Sequence, residues 1–177
     1  MIFILETERF FLRELIEEDV DGFYELDSDP EVHRYLGNSP VSDKQKLLEI
    51  IKFVQQQYKE NGIGRWAIID KRSNEFIGWC GLKLVKDTIN NQSHYYDLGY
   101  RLIRKHWGKG IATETAKASI EYGFNVMKLK EIIAAIHCDN VASNNVVKKL
   151  GFELIETFEF EDEMHNWHKL TDENRNK

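Results

Sequence analysis

The segment best suited to do chemistry is a loop with glycines at positions 108 and 110, between an expected strand and an expected helix. Glycine has no Cβ, so an anion can approach the backbone closely, and the free N–H groups of the helix's first turn point toward it. Successive N–H donors form an anion-binding nest, and Lys105 and Lys109 add positive charge. The loop is therefore a candidate phosphate site, although two such glycines also occur in ordinary strand-to-helix turns.

Two other groups of reactive side chains are weaker candidates. His165 and His168 lie three residues apart on an expected strand, so they face opposite sides of the sheet and would not share a metal ion. His137 and Cys138 are adjacent on another strand, where side chains also diverge, and no third partner for a nucleophile is evident. We therefore predict no metal site, a structural or surface role for the two strand histidines, and a buried Cys138.

The elements that must position the loop follow from the spacing of apolar residues. Strand patterns cover residues 7–15, 64–70, 76–85, 95–103, 130–138, 152–160 and 164–170. Helical spacing and capping residues predict helices that start at residues 17, 29, 42 or 43, 108 and 140. The longer ones should end at Asn61-Gly62, at Val126 and at Leu150-Gly151. This order predicts an α/β arrangement around a mixed sheet, with strand-helix-strand crossovers in its second half.

The composition limits the class of protein. The chain has 177 residues, 42% hydrophobic and 31% charged, which predicts one globular domain over residues 1–171 and a polar, frayed tail at 172–177. Apolar runs are shorter than the roughly 20 residues of a membrane helix, and the N-terminus lacks the basic region of a secretory signal. Cys80 and Cys138 form no Cys-x-x-Cys pair, so we expect a cytoplasmic protein with reduced thiols. The net charge of −6 disfavours nucleic acid as a partner and favours a cationic substrate.

Several segments around the loop form a recognisable set. They are Tyr96-Asp97-Leu98-Gly99-Tyr100-Arg101-Leu102, Trp107-Gly108-Lys109-Gly110-Ile111-Ala112-Thr113-Glu114, Asn140-Val141-Ala142-Ser143-Asn144 and Lys149-Leu150-Gly151-Phe152. With Thr7-Glu8-Arg9, Leu12-Arg13 and Asp29-Pro30-Glu31-Val32, they resemble the GNAT superfamily of acetyltransferases, in particular its branch of RimJ- and RimL-like ribosomal-protein N-terminal acetyltransferases. The resemblance spans nearly the whole chain. It implies the GNAT fold, a mixed and largely antiparallel central sheet of about six to seven strands flanked by helices.

By this resemblance the cofactor is acetyl-CoA, and coenzyme A is a product. The family signature is Gln or Arg, two residues, Gly, one residue, then Gly or Ala, and Lys105 replaces its first residue here. The N–H groups of residues 108–113 would hold the pyrophosphate, and Leu102 and Ile103 would pair with the pantetheine arm. The implied cofactor-binding residues are Leu102, Ile103, Lys105, Trp107, Gly108, Lys109, Gly110, Ile111, Ala112, Thr113, Asn140 and Ser143.

The implied reaction is direct attack of a primary amine on the thioester in a ternary complex. Asp97 stands where this branch often has Glu, which makes it the candidate base, ahead of Glu14 and Glu114; its alternative role is a salt-bridged strand carboxylate. A backbone N–H of residues 100–103 would polarise the carbonyl.

The candidate acid departs from the usual family pattern. Val147 replaces the Tyr that many members use to protonate the leaving thiolate. This leaves Ser143 as the candidate donor to the sulfur, or as a first-turn cap of its helix.

The acceptor that the resemblance favours is a protein or peptide N-terminus. A small amine such as a polyamine, aminoglycoside or amino acid is the alternative, and the absent tyrosine leaves open a non-catalytic acyl-CoA-binding module. His33, Arg34 and Tyr35 would line the acceptor cleft or serve packing. We expect no nucleic-acid or membrane partner, and either a monomer or a homodimer.

Overall fold

The computed structural model describes residues 3–175, which form one eight-stranded sheet and four α-helices. The strands are β1 (Phe3–Glu6), β2 (Phe10–Arg13), β3 (Trp66–Asp70), β4 (Phe76–Val85), β5 (Tyr95–Leu102), β6 (Glu131–His137), β7 (Glu153–Phe160) and β8 (Glu163–Thr171). The helices are α1 (Val20–Asp27), α2 (Lys44–Asn61), α3 (Ile111–Asn125) and α4 (Val141–Lys149), with short 3₁₀ helices at Glu17–Asp19 and Arg104–His106. The sheet order is β1-β2-β3-β4-β5-β6-β8-β7, and neighbouring strands are antiparallel except β5 and β6. The predicted α/β class with a mixed, largely antiparallel sheet is confirmed.

The sheet has one strand more than the seven that the sequence pattern predicts. Residues 7–15 were expected to form the first strand, but they hold only β2, and the chain before them forms β1, which pairs with β2. Thr7 closes the turn between the two, because its N–H donates to the Phe10 carbonyl at 2.9 Å and its hydroxyl accepts the Phe10 N–H at 3.0 Å. Met1 and Ile2, with which the predicted domain begins, lie outside the described residues.

The predicted helix that ends at Asn61 is confirmed, and its local signals explain it. Asp43 lies just before α2, and its carboxylate accepts the N–H of Gln45 at 2.9 Å, as an N-cap does. Gly62 ends the helix in the left-handed region, with φ 69°. The buried face of α2 consists of Leu47, Ile51, Val54 and Tyr58.

The predicted helix at Asp29-Pro30-Glu31 is wrong. The structure has successive hydrogen-bonded turns over residues 30–38 instead. The Asp29 carboxylate does accept the Glu31 N–H at 2.9 Å, so the capping signal is used, but Gly37 and Asn38 adopt left-handed φ values of 73° and 53°. The bonds of these turns are mostly of the i→i+3 kind, as from Val32 to Asp29 and from Leu36 to His33, so no run of α-helical bonds forms before the two left-handed residues end the series.

The tail predicted to be frayed begins as an ordered turn. Arg175 donates to the Asn125 side chain at 2.9 Å and pairs with Glu121 at 3.5 Å, which ties this turn to the end of α3. Residues 176 and 177 lie outside the described residues.

A gap opens in the sheet between β5 and β6. Their parallel register is limited to one pair, Asp97 with Ile133. Beyond that pair β5 continues to Leu102 and β6 to His137, so the carboxyl ends of the two strands diverge in a V shape. Because α3 follows β5 and α4 follows β6, the N-termini of both helices open at this end of the sheet.

Adjacent residues of β5 show which helices cover each face. Tyr100 donates its hydroxyl to the Ser143 carbonyl of α4, whereas Arg101 donates to the Asp27 carboxylate of α1. Since successive strand residues point to opposite faces, α4 and α1 lie on opposite sides of the sheet. Cys80 of β4 lies opposite Tyr100 of β5, so the two side chains share a face of the sheet. The Cys80 thiol contacts Ser119 of α3, which places α3 on the same face as α4.

Two buried histidines make the stability of the fold depend on pH. Burial lowers the pKa of both His33 and His168, so the unfolded chain binds a proton more readily than the folded chain does. In the unfolded chain a histidine has a pKa of about 6.5. Above this pH both states contain the neutral form and no stability is lost; as the pH falls below it, the unfolded chain takes up protons first and the free energy of unfolding decreases. Urea unfolding should give a smaller free energy of unfolding at pH 5.5 than at pH 7.5, and His168→Gln should reduce the difference. An equal or larger free energy at pH 5.5 would contradict this.

Candidate active site

A cavity of about 560 Å³ lies where the carboxyl ends of β5 and β6 diverge. Its walls are the end of β5, the loop before α3 with that helix's first turn, the first turns of α4, and the turns between α1 and α2. The volume is within the range of ligand pockets, about 300 to 1,000 Å³.

Nine of the twelve cofactor-binding residues implied by the sequence line this cavity. They are Leu102, Trp107, Gly108, Gly110, Ile111, Ala112, Thr113, Asn140 and Ser143, while Ile103, Lys105 and Lys109 do not line it.

The loop before α3 has the backbone that an anion site needs. Gly108 and Gly110 both have left-handed φ values, 72° and 73°, which glycine adopts without strain. The first intrahelical bond of α3 runs from the Glu114 N–H to the Gly110 carbonyl at 3.1 Å. The N–H groups of Ile111, Ala112 and Thr113 therefore have no partner within the helix and open into the cavity, at the positive end of the helix dipole.

The two lysines of the loop are directed elsewhere. Lys105 pairs with Glu25 of α1 at 3.1 Å, and the Lys109 ammonium donates to the Lys105 carbonyl at 2.9 Å. Backbone donors, rather than lysine charges, thus face the cavity at this loop.

The end of β5 presents its backbone to the gap at Leu102. Ile103 is buried and donates its N–H to the Ile77 carbonyl of the chain beside it, at 3.0 Å. Alternate residues of an antiparallel strand direct their backbone groups to opposite edges, so Leu102 directs its groups toward the gap. Its carbonyl accepts a hydrogen bond from the Trp107 indole N–H at 2.8 Å. Trp107 thus already occupies an acceptor that the sequence assigns to pantetheine.

The first turn of α4 forms the opposite wall. The Asn140 side chain caps this helix by accepting the Ser143 N–H at 3.1 Å. The Ser143 carbonyl is held by the Tyr100 hydroxyl at 3.0 Å, while within residues 3–175 its own hydroxyl forms no hydrogen bond. Ser143 therefore has a free donor facing the cavity, whereas Val147, at the position of the absent tyrosine, is buried in the core.

Tyr100 was not identified from the sequence. Burial raises the pKa of its phenol, so it stays protonated and serves as a hydrogen-bond donor across the gap from β5 to α4. Its place in the Leu-Gly-Tyr segment gave no signal of this contact, since its partner is 43 residues away.

The structure places Asp97 at the apex of the gap, but not in the cavity wall. One carboxylate oxygen accepts from Arg65 at 2.5 Å, and the other accepts the Ala135 N–H of β6 at 3.3 Å. Asp97 thus has the ion pair that was predicted as its alternative role. Glu14 does not line the cavity, and Glu114 is bound by Thr7 and Arg9.

The remaining wall lies on the α1 side and has one wholly unexpected member. His33, Arg34 and Tyr35 were predicted either to line a cleft or to serve packing. Arg34 and Tyr35 line the cavity, whereas His33 is buried. Arg101 also lines it, stacked on Trp79 with 5.2 Å to the ring centroid and paired with the buried Asp27 at 2.7 Å. His33 faces the same carboxylate at 3.5 Å, and burial and Arg101 both lower its pKa.

The other reactive side chains have structural partners. His168 is buried and bonds to Asn144, and His165 packs on Phe158. Cys138 is half-buried rather than buried, because its thiol donates to the Asn166 side chain near the surface, at 3.2 Å. Over residues 3–175, no three His, Cys, Asp or Glu side chains are grouped to hold a metal ion. In the same range no helix is long and apolar enough to cross a membrane.

Comparison with known proteins identifies similar chains. A family model described as acetyltransferase (GNAT) domain matches residues 9–153. The uncharacterized N-acetyltransferase p20 of Bacillus licheniformis is 35% identical over 149 residues, which cover 84% of this chain and 82% of that protein. The spermidine N(1)-acetyltransferase of Escherichia coli K12 is 26% identical, with 81% and 72% covered. The crystal structure of the ribosomal-protein-S5-alanine acetyltransferase of Vibrio fischeri has a TM-score of 0.77 at 18% identity, with 97% of each chain covered.

Proposed function

Because this chain belongs to the GNAT family of acetyltransferases, as its motifs predict, we propose that it transfers the acetyl group of acetyl-CoA to the N-terminal amine of a protein or peptide. The observation that carries the proposal is the single cavity that joins an anion-binding helix start to a gap between two strands. The helix start suits a pyrophosphate, and the gap suits an extended arm that ends in a thioester.

The residues that line the cavity fit the cofactor. The N–H groups of residues 108–113 would bind the pyrophosphate, and the free backbone edge at Leu102 would pair with the pantetheine arm as an added strand. Asn140 and Ser143 would contact that arm from α4. The Trp107 indole must leave the Leu102 carbonyl when the arm pairs there, or the arm must pair two residues earlier, at Tyr100, whose backbone groups face the same edge.

The reaction is a direct acyl transfer. The amine nitrogen attacks the thioester carbonyl carbon, the resulting oxyanion collapses, the C–S bond breaks, coenzyme A leaves as a thiolate, and the new amide nitrogen releases its extra proton to water. A backbone N–H on the gap side of β5 would stabilise the oxyanion, and Ser143 would donate to the departing sulfur. An acceptor amine with a pKa of about 8 to 10 must first lose its proton, and Asp97 is the proposed base, acting through a water because it does not line the cavity.

The charges of the cavity favour a peptide amine over a polyamine. Arg34, Arg101 and Lys149 are basic lining residues, and the acidic one, Glu31, is paired with Arg34 at 3.7 Å, so the part of the wall that the structure describes offers no free carboxylate. A polyamine carries several positive charges, so it would bind better to a wall of carboxylates. The chain's net charge of −6 is thus not concentrated here.

The acceptor is tested by thiol release from acetyl-CoA with peptides of different N-termini, polyamines, aminoglycosides and amino acids. We expect turnover with peptides and little with the other amines. Turnover confined to small amines would replace the proposed acceptor. Acetyl-CoA binding by calorimetry without turnover of any acceptor would instead favour a non-catalytic acyl-CoA-binding module.

The roles of Asp97 and Ser143 are tested by two substitutions. Asp97→Asn should lower kcat by about 100-fold, as loss of a general base does, and leave the KM for acetyl-CoA unchanged. Ser143→Ala should lower kcat less, since a thiolate leaves partly unaided. Glu31→Gln serves as the control on the cavity wall. An unchanged kcat in the Asp97→Asn, Ser143→Ala double variant, with a lower unfolding temperature, would assign Asp97 to the ion pair with Arg65 alone.

A further inference from the structure

The turn between β1 and β2 lies against the loop before α3. Arg9, in this turn, donates through Nη1 to the Lys109 carbonyl at 3.0 Å and through Nε to the Glu114 carboxylate at 2.6 Å. The same carboxylate accepts the Arg9 backbone N–H at 3.0 Å and the Thr7 hydroxyl at 2.6 Å. Four hydrogen bonds thus connect residues about 100 positions apart in the sequence.

The bond from Arg9 to the Lys109 carbonyl holds the loop between its two glycines, where the backbone is most flexible. Lys109 lies between Gly108 and Gly110, which both have left-handed φ values, and glycine loses more conformational freedom on ordering than any other residue. Fixing the Lys109 carbonyl orients the peptide unit that it shares with the Gly110 N–H. Arg9 would therefore fix the direction of this N–H, directly before the donors of α3, before an anion arrives.

The contact also neutralises a negative charge beside the anion site. Glu114 lies in the first turn of α3, where its negative charge would repel a pyrophosphate bound at residues 108–113. Arg9 compensates this charge, and its Nη2 lies near the site, at 3.7 Å from the position that a Cβ on Gly110 would take. Burial would raise the pKa of Glu114, but the hydrogen bonds from Thr7 and Arg9 outweigh it and lower the pKa, so the pair remains charged.

We propose that Arg9, held by Glu114 and Thr7, is a positioning residue that keeps the loop at residues 108–110 in the conformation that binds the pyrophosphate of acetyl-CoA. The proposal rests on the proposed function. It also assigns a role to the Thr7-Glu8-Arg9 segment, which lies on a different element from the loop.

The experiment compares acetyl-CoA with acetylpantetheine, which has the thioester and the arm but no pyrophosphate. Arg9→Gln should raise the KM for acetyl-CoA about tenfold with little change in kcat, and leave kcat/KM for acetylpantetheine unchanged. Arg9→Lys should restore part of the loss, since a lysine supplies the charge without the planar fork. Lys71→Gln is the matched control, because Lys71 binds Glu6 and Thr7 in the same turn without touching the loop.

A second measurement needs neither acceptor nor cofactor. In the free protein, Arg9→Gln should speed amide hydrogen exchange at Trp107 and Glu114, whose N–H groups are hydrogen-bonded at the two ends of the loop, and Lys71→Gln should not. Equal losses with both thioesters, or unchanged exchange in the loop, would overturn the proposal and leave Arg9 as a general stabiliser of the fold. If the wild-type chain binds no acetyl-CoA, the proposed function fails, and the exchange experiment still decides what Arg9 does.

Discussion

Replacing Gly110 with valine should weaken acetyl-CoA binding by about 100-fold or more, measured by calorimetry. Gly110 has φ 73° immediately before α3, a conformation that costs a β-branched residue about 1 to 3 kcal/mol. Valine would relieve this strain by turning the peptide units of the loop, which moves the N–H donors away from the pyrophosphate. Its side chain would also take up space that the glycine leaves for the anion.

Gly62→Val is the matched control for this substitution. Gly62 has a similar φ of 69° at the end of α2, and the space around it is open, while a Cβ on Gly110 would meet only Arg9 Nη2, in ordinary contact at 3.7 Å. Both variants should lose stability in urea unfolding by similar amounts, because the backbone strain is alike. Only Gly110→Val should lose acetyl-CoA binding. Equal binding by the two variants would show that the loop does not hold the cofactor.

Asp27→Asn should lower the free energy of unfolding by about 3 kcal/mol, measured by urea denaturation at pH 7. Asp27 is 3% exposed and holds Arg101 beneath the cavity at 2.7 Å. The amide keeps the size of the side chain but removes the charge, so the Arg101 guanidinium stays in the cavity wall without a counterion. Removal of one partner of a buried pair costs more than the pair contributes, because the other charge is left desolvated.

Asp21→Asn, in the same helix, is the control for this prediction. Asp21 pairs with Lys44 at the same distance, 2.7 Å, but its side chain is 80% exposed. An exposed pair contributes about 1 kcal/mol or less, so this variant should unfold almost as the wild type does. Similar losses in the two variants would show that the Asp27 charge is not needed to balance Arg101.

Local signals in the sequence were enough to predict the helices and the loop. The Asp43 cap and Gly62 fix both ends of α2 through contacts within a few residues, and the glycines at 108 and 110 give the loop its backbone. The turns at residues 30–38 carried the same kind of start signal but were stopped by two left-handed residues, whose effect the capping pattern does not show.

The far wall of the cavity depends on contacts that no local pattern encodes. Arg101 is oriented by Asp27, 74 residues earlier, and Tyr100 reaches Ser143, 43 residues later. Neither side chain has a spacing or a neighbour that reveals its partner, because each pairing is created when the helices dock on the sheet. The motif likewise places Asp97 on the correct strand. Its bond to Arg65, however, forms only when the residue before β3 packs against β5.

The single Asp97–Ile133 pair makes the gap a break in the hydrogen-bonded sheet but not in the apolar interior. Behind it, Leu98 and Leu102 of β5 belong to the same core cluster as Ile132 and Ala134 of β6, together with Val147 of α4. The two halves of the sheet are therefore joined by apolar packing behind the gap. A molecule that enters the gap displaces at most the Trp107 indole from the Leu102 carbonyl and separates no packed surfaces, so little of its binding energy is spent on reorganising the protein.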